Sequence, residues 1–97
     1  MFQILDKINS TDFKNVKVSK ISKSDDTEIL HISIEKDGLL KKHTSPKDAL
    51  LIVLDGCITF YINNTSYVLN KFQLFNFAND TEHWVEAQEN SNFLIIR

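Results

Sequence analysis

The side chains of this 97-residue chain that could do acid–base, metal or nucleophilic chemistry are few: three histidines, His31, His43 and His83, and one cysteine, Cys57. Ser45 stands two residues after His43, so the two project the same way from an extended strand. A serine nucleophile needs a base in reach and a third group that orients the base. No Asp or Glu is placed by sequence to do that, and Asp48 falls on a turn. Cys57 can form neither an internal disulfide nor a thiolate cluster. With no Lys, Arg or His beside it to lower its pKa, it reads as a small hydrophobe. His31 alternates against Leu30, Ile32 and Ile34, which puts it on the opposite face as a surface or interface histidine.

The elements that must position these residues are strands. Val, Ile, Leu and Phe make up about a third of the chain, enough for a core. Two glycines and one proline exclude collagen-like and low-complexity classes. Val16 and Val18 recur with period 2, and Glu28 to Glu35 alternates over its whole length. Leu39 to His43 follows the Lys36-Asp37-Gly38 turn. Ala49 to Leu54 is a continuous apolar run, as in a strand buried on both faces. Asp55-Gly56 and Asn63-Asn64 are hairpin turn signals on either side of Cys57 to Ile62. Thr65 to Leu69, Leu74 to Phe77, Thr81 to Ala87 and Asn92 to Ile96 complete the series. No segment of ten residues carries a clean helical stripe, and Phe2, Leu5 and Ile8 mark at most one short turn. Short strands with turns every 8–12 residues predict an all-β sandwich or barrel. The barrel is preferred because closure removes strand edges that a small protein could not otherwise cover.

Residues 28–96 resemble a cupin, the small double-sheet β-barrel family. Gly38 to Ser45 is similar to the opening of the first family motif, G-x5-H-x-H-x3,4-E-x6-G, with one residue fewer before the first histidine. Ala49 to Gly56 is similar to its close. Phe72 to Ala87, aligned back from His83, matches the spacing of the second motif, G-x5-P-x-G-x2-H-x3-N. Cys57 to Leu69 resembles the hairpin between them. The resemblance implies a single domain over residues 1–97, a double-stranded β-helix (jelly-roll) barrel with residues 1–12 as an extension or short turn. It also implies a site at the barrel mouth. Of the family's metal ligands, two histidines and a glutamate from the first motif and one histidine from the second, His43 and His83 remain. Ser45 stands at the second histidine and Ala49 at the glutamate. The implied ligand-binding residues are therefore His43, Ser45, Ala49 and His83.

Two imidazoles without an anionic partner offer a divalent cation little, since structural and catalytic sites use three or four protein ligands. The expectation is no tightly held cofactor, with weak binding of Zn, Ni or Fe at His43 and His83. Three functions follow from the resemblance. The first is a barrel that binds a small polar organic molecule. The others are a metal-dependent oxygenase or isomerase using His43 and His83, and a structural or regulatory dimer with a closed barrel. Trp84 turns away from His83, and Phe72, Phe75 and Phe77 populate both faces of their strand, so a second copy of the chain is expected to cover an outer face. A net charge of −2 gives no reason to expect a nucleic-acid partner. The longest apolar run is far shorter than a membrane span. No basic and apolar leader opens the chain, which makes the cytoplasm the expected compartment.

Overall fold

Nine strands and one short helix build the computed structural model, which describes residues 2–97. In chain order they are α1 (Lys7–Ser10), β1 (Val16–Lys23), β2 (Glu28–Ile34), β3 (Leu39–His43), β4 (Ala49–Asp55), β5 (Cys57–Ile62), β6 (Thr65–Asn70), β7 (Leu74–Phe77), β8 (His83–Ala87) and β9 (Ser91–Ile96). Five strands form one sheet in the order β1-β2-β9-β4-β7, and four form the other in the order β3-β8-β5-β6. All pairings are antiparallel, from β1 against β2 to β5 against β8. This is the jelly-roll barrel that the strand pattern and the resemblance imply.

The turns close where the sequence allows φ above zero. Asn63 (53°) and Asn64 (59°) link β5 to β6, and Gly56 (88°) links β4 to β5. At Gly56 a Cβ would lie 2.2 Å from the Ser91 hydroxyl and 2.5 Å from the Asn90 carbonyl. Glycine is therefore required there by space as well as by conformation.

The core lies between the sheets. Ile32, Ile34, Leu51, Val53 and Phe93 come from the larger sheet, and Ile58, Phe60 and Val85 from the smaller, each at most 1% exposed. Alternation decides which residues these are, with one correction. The run Ala49 to Leu54 is buried on one face only: Ala49, Leu51 and Val53 point into the core, and Leu50, Ile52 and Leu54 are half-buried on the outside. A second correction concerns the aromatics. Phe75 and Phe77 share the inner face of β7, and Phe72 sits in the preceding turn at φ 67°, 65% exposed.

His31 corrects a third expectation. It does face away from Ile32 and Ile34, but it is 1% exposed rather than a surface residue. The segment ahead of β1 crosses this side of β2, where the Ser33 hydroxyl donates to the Asp12 carbonyl at 2.7 Å. His31 Nε2 lies 3.3 Å from the Asn92 side-chain oxygen, and its buried Nδ1 has no partner among the described residues.

Burial pushes the His31 imidazole below its ordinary range, with the Asn92 bond acting in the opposite direction. A depressed histidine contributes stability that is complete above the unfolded-chain value of 6.5 and is lost as pH falls below it. Urea unfolding of the wild type should weaken between pH 7.5 and pH 5. His31→Gln should weaken less over the same interval. Identical pH slopes for the two proteins would remove His31 as a cause.

Candidate functional site

The β3–β8 ladder places His43 directly opposite His83. A register shift between Leu40 and His43 adjusts the end of β3 so that the two side chains meet. Their ring centroids are 4.2 Å apart and edge to face. His83 is buried among aromatic rings, stacked on Phe60 at 5.1 Å and tilted against Phe77 at 4.7 Å.

Hydrogen bonding settles the tautomers. His43 Nδ1 lies 2.7 Å from the Lys41 carbonyl, and His83 Nδ1 lies 2.9 Å from the Thr81 carbonyl. A carbonyl only accepts, so each Nδ1 carries a hydrogen and donates it. The two Nε2 atoms face each other at 3.1 Å. With both rings neutral, that contact is lone pair against lone pair, and only a proton or another donor relieves it. Burial pushes His83 below the ordinary imidazole range; the Thr81 bond opposes this, and the positive charge of His43 and Arg97 adds to it. His83 is thus favoured in its neutral, accepting form.

Beside the pair, a cavity of about 570 Å³ opens between the sheets, within the usual range of small-molecule sites. Its walls are apolar, with Leu30, Ile32, Leu40, Phe77 and Ile95 among them, and His43, Ser45 and His83 supply polar atoms. Three of the four expected site residues therefore come together. Ala49 does not join them: it is a core residue paired with Phe77 and is absent from the cavity wall.

Ser45 is buried just beyond β3. Its hydroxyl donates to the Lys47 carbonyl at 2.7 Å and accepts from Arg97 Nη1 at 3.3 Å. A hydroxyl proton given to a carbonyl is not offered to His43.

Arg97 is the site residue that the sequence reading missed. Its Nε donates to Glu28 Oε1 at 2.8 Å, and Lys20 Nζ lies 3.1 Å from Glu28 Oε2. Arg97 first and Lys20 second hold the Glu28 carboxyl below the usual carboxylate range. The available signal was strand pairing: Ile29 opposite Ile96 brings the end of β9 beside the start of β2.

A metal fits this donor set poorly. Two imidazoles are present, Ser45 is committed elsewhere, and Ala49 offers no donor. Arg97 adds positive charge beside the cavity. Among the described residues no three His, Cys, Asp or Glu side chains gather as a metal site would require.

Two packed antiparallel sheets with a histidine pair at the mouth between them define a small cupin-type barrel. Solved structures agree, and this chain has the fold of the cupin superfamily. It is similar to an RmlC-like cupin protein from Desulfovibrio desulfuricans at TM-score 0.85 and 14% identity, over 99% of this chain and 95% of that one. A conserved protein of unknown function from Streptococcus pyogenes follows it at TM-score 0.83 and 21% identity, covering 97% and 84%. A cupin-2 domain protein from Shewanella frigidimarina is similar at TM-score 0.78 and 17% identity, covering 94% and 87%. No family model matches the chain, and no curated protein matches it. No helix among the described residues is long and apolar enough to cross a membrane.

Ser45→Ala should leave Arg97 Nη1 and the Lys47 carbonyl without this partner. The expected cost is about 1–2 kcal/mol, that of a lost buried hydrogen bond to a charged group, with the sheet content unchanged. Urea unfolding followed by circular dichroism measures it. An unchanged midpoint would show that the hydroxyl does not hold this corner together.

Proposed function

We propose that this chain binds a small polar organic molecule in its barrel cavity, with no tightly held metal. The observation that carries the proposal is the combination of an apolar-walled cavity of about 570 Å³ with the His43–His83 pair at its edge. Apolar walls supply affinity by burial, and the paired Nε2 acceptors select a ligand that donates a hydrogen bond, such as a hydroxyl or an N–H. The cavity also weighs against the third reading, a barrel packed shut. The fold and the donor set leave a metal-dependent oxygenase or isomerase as the second reading, because two Nε2 atoms 3.1 Å apart can turn toward one ion.

Metal content separates the two readings. Protein purified without chelator or metal-affinity resin should carry well under one transition-metal ion per chain by elemental analysis. Added Zn²⁺ or Ni²⁺ should bind only weakly and exchangeably. One equivalent of tightly held metal would put the enzyme reading first. Ligand binding is tested by NMR titration with a small-molecule library. The proposal requires hits that shift the His43 and His83 imidazole signals and the Ile32 methyl groups. Hits confined to the surface would remove it.

A second copy of this chain is the proposed macromolecular partner. Phe72, Leu74 and Val68 are each more than half exposed, and Phe2, Ile4 and Leu5 leave the domain almost bare. Covering them with the same surfaces of another copy satisfies both chains at once. Sedimentation equilibrium at micromolar concentration should therefore give a dimer. A mass of 11.2 kDa across that range would reject it.

A further inference from the structure

We infer that the cavity ligand is an organic carboxylate with an apolar body, its carboxylate received by Arg97. The inference rests on the cavity reading above and names the chemical class that the cavity admits.

The first argument is charge. The charged residues of the cavity lining are Lys41, Lys42 and Arg97, and no Asp or Glu among the described residues joins them. Lys42 is directed elsewhere: its ammonium lies 5.9 Å over the Trp84 ring and 3.8 Å from Glu82. Glu28 touches Arg97 from outside the lining but is shared with Lys20. Among the side chains of that corner, two cations face one carboxylate. An anion entering an apolar cavity restores the balance without leaving a buried charge unpaired.

The second argument is the geometry of Arg97. A guanidinium carries five N–H donors in a planar fork. Here Nε is used by Glu28 and one Nη1 hydrogen by Ser45. The other three N–H groups have no hydrogen-bond partner among the described residues. Both engaged groups act as braces. Glu28 fixes one edge of the plane, and Ser45, itself tied to the Lys47 carbonyl, fixes the end of Nη1. A guanidinium held at two points gives up little further freedom when it binds, and its remaining donors suit a two-oxygen acceptor.

The third argument is the rest of the wall. Val18, Leu30, Ile32, Leu40, Phe77 and Ile95 form an apolar surface next to this polar corner. A fully polar anion such as phosphate would leave that surface wet. A carboxylate on an aliphatic or aromatic body covers it and meets Arg97 at one end.

The test uses the whole chain at pH 7.5 and isothermal calorimetry with matched pairs that each carry a hydroxyl donor for the histidine pair: 6-hydroxyhexanoate against 6-hydroxyhexanamide, and 4-hydroxybenzoate against 4-hydroxybenzamide. Each amide keeps the shape of its acid and lacks the charge. The acids should bind at least roughly tenfold more tightly, the factor expected of a charge-assisted hydrogen bond over a neutral one. Arg97→Gln should bring the acids down to the affinity of their amides. Arg97→Lys should keep part of the preference, since it retains the charge and loses the fork. Should Arg97→Gln unfold, the double variant Glu28→Gln/Arg97→Gln removes both partners of the ion pair and repeats the comparison. Amides that shift the His43 and His83 signals as strongly as the acids bind would overturn the carboxylate class and leave the cavity reading standing. An acid preference that survives the loss of Arg97 would overturn the role of that residue. If neither acids nor amides, nor any member of the library, reach the cavity signals, the cavity reading falls and this inference falls with it.

Discussion

The ring of Phe60 joins core to site, and much of the structure depends on it. It lies on β5 in the smaller sheet, fully buried, with its centroid 5.0 Å from both Phe75 and Phe77 on β7 of the larger sheet. Its other contact is with His83, near-parallel at 17°. One side chain therefore closes the two sheets on each other and sets the plane of the imidazole at the cavity. Such aromatic contacts are worth about 0.5–1.5 kcal/mol each beyond the area they bury. Their effect on function is directional. A ring packed this way keeps Nδ1 on the Thr81 carbonyl and aims Nε2 at His43. The same apolar surroundings disfavour the His83 imidazolium, so core packing and the acceptor character of His83 have one cause.

Most of the fold was legible because each strand carries its own evidence. Leu30, Ile32 and Ile34 alternate, the turns fall on Asp55-Gly56 and Asn63-Asn64, and the observed strand bounds differ from the expected ones by a residue or two. Local pattern failed where burial depends on what lies across the sheet. His31 lies on its expected face, yet the segment bearing Asp12 passes over that side of β2 and the residue is buried. The run Ala49 to Leu54 looks two-sided in sequence because an apolar outer face is indistinguishable from a second core. The bulk of the site was legible through spacing, which put His43 and His83 at matching positions. Arg97 was not, because its contacts with Ser45 and Glu28 join residues 52 and 69 positions apart, and no local pattern encodes such a distance.

The two departures from the metal pattern that the resemblance implies, Ser45 and Ala49, form one electrostatic change together with Arg97. In the pattern that the resemblance implies, a glutamate supplies the negative charge that makes a divalent cation welcome. Here Ala49 occupies that position and faces Phe77 inside the core. Ser45 occupies the second histidine position and accepts from a guanidinium instead of facing an ion. Ala49 in place of a carboxylate and Arg97 at the cavity shift the side-chain charge of this corner in one direction, toward the positive. The two effects reinforce each other in a cavity with apolar walls, where a charge is screened less than at the surface. On the proposed reading the two remaining histidines take a hydrogen-bond donor from the ligand. Their Nε2 atoms converge at the edge of a cavity whose other polar corner, Arg97, offers donors. On the proposed reading the ligand brings an anionic acceptor to Arg97 and a donor to the pair, with an apolar body between.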